Sequence, residues 1–146
     1  MATPICDRIM DDIVLALGSV NGGGYSSTLL VKEPDYTADA VADGVTIVNE
    51  GDWTYEDSPP LQMDGIYQSY EVTIYVRGGN ERNYQRLCRQ YASDAKRALM
   101  LDESRGGLAR WCKVLGARKF NDGSLRGVTV DFQVYFRTLL DKPDQQ

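Results

Sequence analysis

Apolar positions near the start of the chain recur at helical spacing: Ile5, Ile9, Met10, Ile13, Val14 and Leu17 form one stripe. Asp7, Arg8, Asp11 and Asp12 lie largely off it. Thr3 is suited to cap this helix and Pro4 to occupy its first position, where a missing N–H costs nothing. Gly18 is suited to end it in a left-handed conformation. Asn21-Gly22-Gly23-Gly24 then reads as a turn or hinge. A glycine run can cradle a phosphate when a strand precedes it and a helix follows. Here a helix precedes it, an extended stretch follows, and no Lys-Ser/Thr pair is present.

Thr28–Lys32 and Val45–Asn49 read as short strands, separated by an acidic surface loop of small residues over Pro34–Gly44. Glu50–Asp64 reads as a longer polar loop holding Trp53, Tyr55, Pro59 and Pro60, acidic at Asp52, Glu56 and Asp57. A loop of that length inside a compact domain is more often functional or mobile than filler.

From Ile66 to Arg77 the pattern alternates. Ile66, Tyr70, Val72, Ile74 and Val76 share one face, with Gln68 interrupting the row; Tyr67, Ser69, Glu71, Thr73, Tyr75 and Arg77 share the other. Gly78-Gly79 breaks the strand and Asn80 can cap a helix from Glu81 to about Leu101. Tyr84, Leu87, Cys88, Tyr91, Ala92, Ala95, Ala98 and Leu99 form its stripe. Arg82, Arg86, Arg89, Lys96 and Arg97 flank it, either as a solvated surface or as a face for an acidic neighbour. After Ser104-Arg105-Gly106-Gly107, two strands, Arg110–Phe120 and Leu125–Thr138, are joined by the hairpin-like Asn121-Asp122-Gly123-Ser124. The pattern predicts an α+β fold: a two-layer sandwich in which two main helices pack on a mixed, mainly antiparallel sheet of about four to five strands. Residues 1–140 form one domain, and 141–146 a polar tail expected to be loose.

The composition supports a globular chain: 42% hydrophobic and 25% charged over 146 residues. No apolar run reaches the roughly 18 residues of a membrane span. Met1-Ala2-Thr3-Pro4 has no basic segment followed by an apolar stretch, so no secretion signal is expected. A net charge of −5 argues against tight nucleic-acid binding, although DNA can pass such a surface without being gripped. Cys6, Cys88 and Cys112 lack metal-ligand spacing and read as reduced, buried side chains in a cytosolic assembly environment.

The chain has no histidine, which removes the commonest general base and metal ligand and every Ser-His or Cys-His arrangement. Glu71 and Asp131 sit mid-strand on polar faces; an exposed sheet face, or an ion pair with Arg77 or Arg137, explains them more simply than acid catalysis does. Asp52 and Asp57 beside Trp53 and Tyr55 could form a sugar or cation site, but no spacing supports one. No catalytic, metal or cofactor residue is therefore assigned. Nine tyrosines and two tryptophans suit half-wet surfaces. Trp53, Tyr55, Tyr67, Tyr75 and Tyr135, with Arg86 and Arg89, are candidates for an interface with a neighbouring subunit; ordinary packing is the competing reading.

Tyr70-Glu71-Val72-Thr73-Ile74-Tyr75-Val76-Arg77, the helix ending Asp94-Ala95-Lys96-Arg97-Ala98-Leu99, Asp102 with Gly106-Gly107-Leu108-Ala109, and Val130-Asp131-Phe132-Gln133-Val134-Tyr135-Phe136-Arg137 follow a recurring order. That order resembles the tail terminator proteins of long-tailed bacteriophages, also called tail-completion or minor tail proteins. The opening helix followed by Gly23-Gly24-Tyr25 is similar too. The likeness extends from about Ile5 to Arg137 and is one of element order and loose pattern. It implies an α+β fold, a sheet flanked by helices, and a ring, typically a hexamer, on the last ring of the tail tube. Such a ring stops tube polymerisation and presents a surface to the head connector or neck protein. It implies no catalytic residues and a place at the head-proximal end of the virion tail, assembled in the host cytoplasm away from membranes. Asp35, Asp39, Asp43, Asp52, Glu56 and Asp57 are candidates to face the pore, where acidic loops would let DNA slide through. The alternatives are a head–tail connector adaptor, a carboxylate-dependent enzyme or ligand-binding domain, and a binding module unrelated to phage.

Overall fold

The structure, a computed structural model, describes residues 4–20, 29–32, 43–56, 62–121, 123, 125–139 and 144–146. Helix α1 spans Ile5–Gly18 and α2 spans Glu81–Met100. The strands are β1 (Leu30–Lys32), β2 (Val45–Tyr55), β3 (Met63–Tyr75), β4 (Trp111–Asn121) and β5 (Arg126–Leu139). Among the described residues they form one five-stranded sheet in the order β1-β2-β3-β5-β4. Only β1–β2 is parallel, so the sheet is mixed and mainly antiparallel, and the fold is α+β as the pattern predicts.

The strict four-residue spacing of Ile5, Ile9, Ile13 and Leu17 turns one side of α1 into the core, where all four are fully buried. Val14, part of the expected stripe, stays 37% exposed because it lies off that line. The start of α1 is one residue later than expected, with Pro4 in the capping position; Thr3 lies outside the described residues. Gly18 does not end the helix in a left-handed conformation. The cap is Ser19, still right-handed, whose N–H reaches the Leu15 and Ala16 carbonyls while its hydroxyl donates to Ala16 O at 2.6 Å. Continuing that turn carries Val20 into the core, which a left-handed exit is not needed to achieve. For α2 the expected cap holds: Asn80 Oδ1 accepts the Asn83 N–H at 2.8 Å. Gly78 precedes it at φ +75, and a Cβ there would come within 2.6 Å of the Tyr84 backbone.

The core lies between the helices and one face of the sheet. Tyr70, Val72 and Ile74 of β3 meet Val128, Val130, Phe132, Val134 and Phe136 of β5 beneath Tyr84, Cys88, Ala95 and Leu99 of α2. β3 and β5 pair without interruption from Met63↔Leu139 to Tyr75↔Gly127. Gln68 is buried and does not break this face. Its amide donates to Gly51 O and Ser69 O, filling the space beside a bulge in β2.

Two expectations are corrected here. Residues Glu50–Asp64 are not one long loop: β2 runs through a bulge between Glu50 and Trp53 to Tyr55, and β3 begins at Met63. The stretch looks like a loop because its residues are nearly all exposed, so no burial alternation marks it. Cys88 and Cys112 are buried and free, but Cys6 is only half-buried, since it sits beside the Ile5 line and not on it. The C-terminal residues are tied down where they are described: Arg8 donates to Asp144 O, Leu139 N to Gln145 O, and Gln146 to Leu108 O.

Candidate interaction surfaces

Among the described residues the sheet is covered by helices on one face only. On the other face, odd-numbered residues of β3 and β5 stand side by side with residues of β4. At one end Tyr67, Trp111 and Tyr135 form an aromatic cluster, with centroids 4.8 Å apart for Tyr67–Tyr135 and 5.7 Å for the stacked Trp111–Tyr135 pair. Tyr135 is buried although its face is open, because the other two rings and Arg137 enclose it. Its hydroxyl donates to Glu56 Oε2 at 2.5 Å and accepts from Arg137 Nε at 2.8 Å. Burial, then the bond to Glu56, pushes the Tyr135 phenol up, and the Tyr135 bond holds the Arg137 guanidinium above its ordinary value.

At the centre of this face Glu71 and Asp131 lie directly opposite each other. Two carboxylates in that position repel unless a cation intervenes. Arg118 of β4 supplies it, 3.4 Å from Glu71 and 3.3 Å from Asp131. The partner expected for these acids was Arg77 or Arg137. The β4–β5 register instead brings Arg118 alongside, Arg137 turns to Glu56, and Arg77 offers its backbone N–H to Asp43. At the far end Tyr75 meets Phe120 edge to face at 5.7 Å. The bulges at Glu50/Trp53 and Val114/Gly116 flank the central strands at one level and bound a shallow cleft of about 330 Å³ lined by Asp52, Ser69, Glu71, Leu115 and Asp131.

A second hollow, of about 250 Å³, lies on the helix side of β2, between Cys6, Glu50, Trp53, Tyr55, Ile66 and Phe136. Trp53 and Tyr55 pair with Gln68 and Ile66, so they face this side, yet they are 58% and 59% exposed because α1 stops short of them. Arg86 and Arg89 are exposed on the outer surface of α2, in the other layer from Tyr67, Tyr75 and Tyr135. The expected interface residues therefore divide among three surfaces. Trp111, Phe120 and Arg118 belong to the open face and were missed; the alternation that marks Tyr135 also marks them, but a bulge at Leu115 shifts their parity.

Of the candidate pore-facing acids, Asp35, Asp39 and Asp57 lie outside the described residues. Asp43 is exposed in the turn before β2, Asp52 is exposed in the bulge, and Glu56 is half-buried and engaged by Tyr135 and Arg137.

Burial raises the thiols of Cys6, Cys88 and Cys112, which keeps them protonated near neutrality and poor as nucleophiles. Among the described residues no group of three or more His, Cys, Asp or Glu side chains is arranged to hold a metal, and no helix is long and apolar enough to cross a membrane. The surfaces thus define a two-layer α+β domain in which, among the described residues, one sheet face and two sheet edges are open. No protein-family model matches the chain, and a search of curated proteins finds no match to it.

Proposed function

We propose that this protein is a ring-forming structural protein of the tail-terminator type, which caps a phage tail tube and joins it to the head connector. The observation that carries the reading is the open sheet face. It holds the half-buried rings of Tyr67 and Trp111, the guanidinium of Arg118 and a cleft, and aromatic side chains and arginine are enriched at protein interfaces. The assignment to tails rests on the ordered resemblance of Ile5 to Arg137 to the terminator proteins. Docking, not turnover, is its mode of action: the paired acids are neutralised by Arg118 and the thiols are held protonated. Asp43, exposed in the turn before β2, is the described candidate acid suited to repel DNA passing through a pore.

The test mixes the purified protein with polymerising tail-tube protein and, separately, with the portal-side connector. Rings at tube ends and shortened tubes in negative-stain images support the proposal. Binding to the connector alone makes the chain a neck adaptor. Binding to neither, or turnover of a small substrate abolished by changing one carboxylate, overturns it.

A further inference from the structure

The two outer edges of the sheet carry opposite charges. β4 is the last strand on one side, and among the described residues nothing pairs with its outer rim. Lys113 and Lys119 project from it exposed, Arg110 precedes it exposed, and the bulge leaves Leu115 54% exposed. On the other side β1 covers β2 only from Val45 to Ile47. From Asn49 to Tyr55 the outer rim of β2 is open among the described residues, and it carries Glu50 and Asp52, with Trp53 and Tyr55 beside them. No ion pair engages Glu50, Asp52, Lys113 or Lys119 among the described residues.

An unpaired strand rim is a template for another strand. We propose that β4 of one copy pairs, antiparallel, with the outer half of β2 of the next copy, so that one sheet runs around the assembly. The inference deepens the ring reading above and rests on it for closure.

Strand direction allows the pairing. β2 and β5 both run antiparallel to β3, and β4 runs antiparallel to β5. A rotation axis along the strands preserves these directions, so β4 meets the next β2 antiparallel, which is a head-to-tail contact that closes by rotation. The side chains agree as well. Lys119 pairs with Val128 and Glu50 with Tyr70, so both stand on the helix side; Lys113 pairs with Gln133 on the open side, where Asp52 borders the cleft. A junction that keeps all helices on one side therefore puts Lys119 on the face of Glu50 and Lys113 on the face of Asp52. The lysines stand opposite Gln133 and Val128, while the two acids adjoin at the Glu50/Trp53 bulge. One register therefore sets one lysine, Lys119, directly toward an acid, Glu50, and the remaining charges act across the rim. The junction also brings the exposed Leu115 to the rim that displays Trp53 and Tyr55. The open rim of β2 is roughly 23 Å long at strand spacing, and β4 is longer.

Pairing of like edges has the opposite sign. Two β4 rims would bring Lys113 and Lys119 against the same residues of the other copy, and two β2 rims would oppose Glu50 and Asp52. Basic edges commonly deter aggregation; here the same charges deter a two-fold dimer and leave head-to-tail pairing open.

Two full-length variants test this. Lys113→Glu with Lys119→Glu makes both rims acidic; Glu50→Lys with Asp52→Lys makes both basic. All four side chains are exposed, so circular dichroism should show native folding in each. Sedimentation velocity is run with and without tail tubes. The wild type is expected to form a closed oligomer that weakens at high salt. Each variant alone is expected to associate about tenfold or more weakly, and an equimolar mixture to recover assembly, because acidic and basic rims then alternate. In parallel, backbone amides of residues 49–55 and 111–119 of the wild type should gain exchange protection on assembly, a readout independent of whether the variants fold. Variants that assemble alone as the wild type does, or rims without new protection, overturn the edge pairing while leaving a ring by another interface intact. A wild type that stays monomeric both free and on tubes overturns the pairing and the ring reading together.

Discussion

Replacing Arg105 by methionine should cost about 3 kcal/mol of stability. Arg105 is 1% exposed, in the turn that follows α2, with its backbone in the left-handed region at φ +48. Its guanidinium ties three segments together. Nη2 donates to Leu99 O at 2.6 Å and to Asp102 O at 2.6 Å, Nε reaches Asp102 O at 2.9 Å, and Nη1 lies 3.1 Å from Asp12 Oδ2 on α1. The last contact is an ion pair whose angle does not make a hydrogen bond. Methionine fills most of the same space but donates nothing. Leu99 O, at the end of α2 with no helical partner of its own, is then orphaned in the interior, at about 1–3 kcal/mol. Asp102 O loses less, since Arg105 N and Cys112 Sγ also approach it. Asp12 is 29% exposed, so water recovers part of the lost pairing and the several kcal/mol expected for a wholly buried charge must be discounted. A loss of about 3 kcal/mol corresponds to a Tm lower by roughly 6–12 °C for a chain of this size. Urea and thermal denaturation of Arg105→Met, Asp12→Asn and the double variant measure it. The double variant should lose about 1 kcal/mol less than the sum of the single losses, because the two residues contact each other. A loss below about 1 kcal/mol for Arg105→Met, or strictly additive losses, would refute the reasoning.

The Tyr70 hydroxyl is fully buried with no hydrogen-bond partner among the described residues, so Tyr70→Phe should raise stability by about 1 kcal/mol in urea titrations; a loss would mean that the hydroxyl has a partner. Gly127 lies where a Cβ would come 2.0 Å from Ile74 O, so Gly127→Ala must push β3 and β5 apart and should cost at least about 2 kcal/mol; an unchanged Tm would show that this register is wrong. Burial, then the bond to Cys88, pushes the Tyr84 phenol up to about 12, while its one hydroxyl proton is shared between Phe120 O and Gly127 O. Because the folded value lies above the ordinary one, this contribution is complete below about pH 10 and drains as pH rises toward the raised value. Tyr84→Phe should therefore be less stable at neutral pH but lose less between neutral and alkaline conditions; equal alkaline slopes would contradict the assignment.

Sequence periodicity determined both helices and the faces of β3 and β5, and residue type at the breaks determined the Asn80 cap and the hairpin position. Each of these depends on neighbours a few residues apart, and burial of one face imprints itself directly on residue type. The outer half of β2 carried no such imprint. As an open edge it buries neither face, so Asn49 to Tyr55 look like loop until β3 is alongside to pair with them. Only the tertiary structure brought Tyr67, Trp111 and Tyr135 together from three strands, chose Arg118 over Arg77 and Arg137 for the Glu71–Asp131 pair, and joined Asp12 to Arg105 across 93 residues of sequence. Strand order decides which side chains meet and which rims stay open. It is settled by long-range pairing and loop closure, whose energies no local window of residues contains.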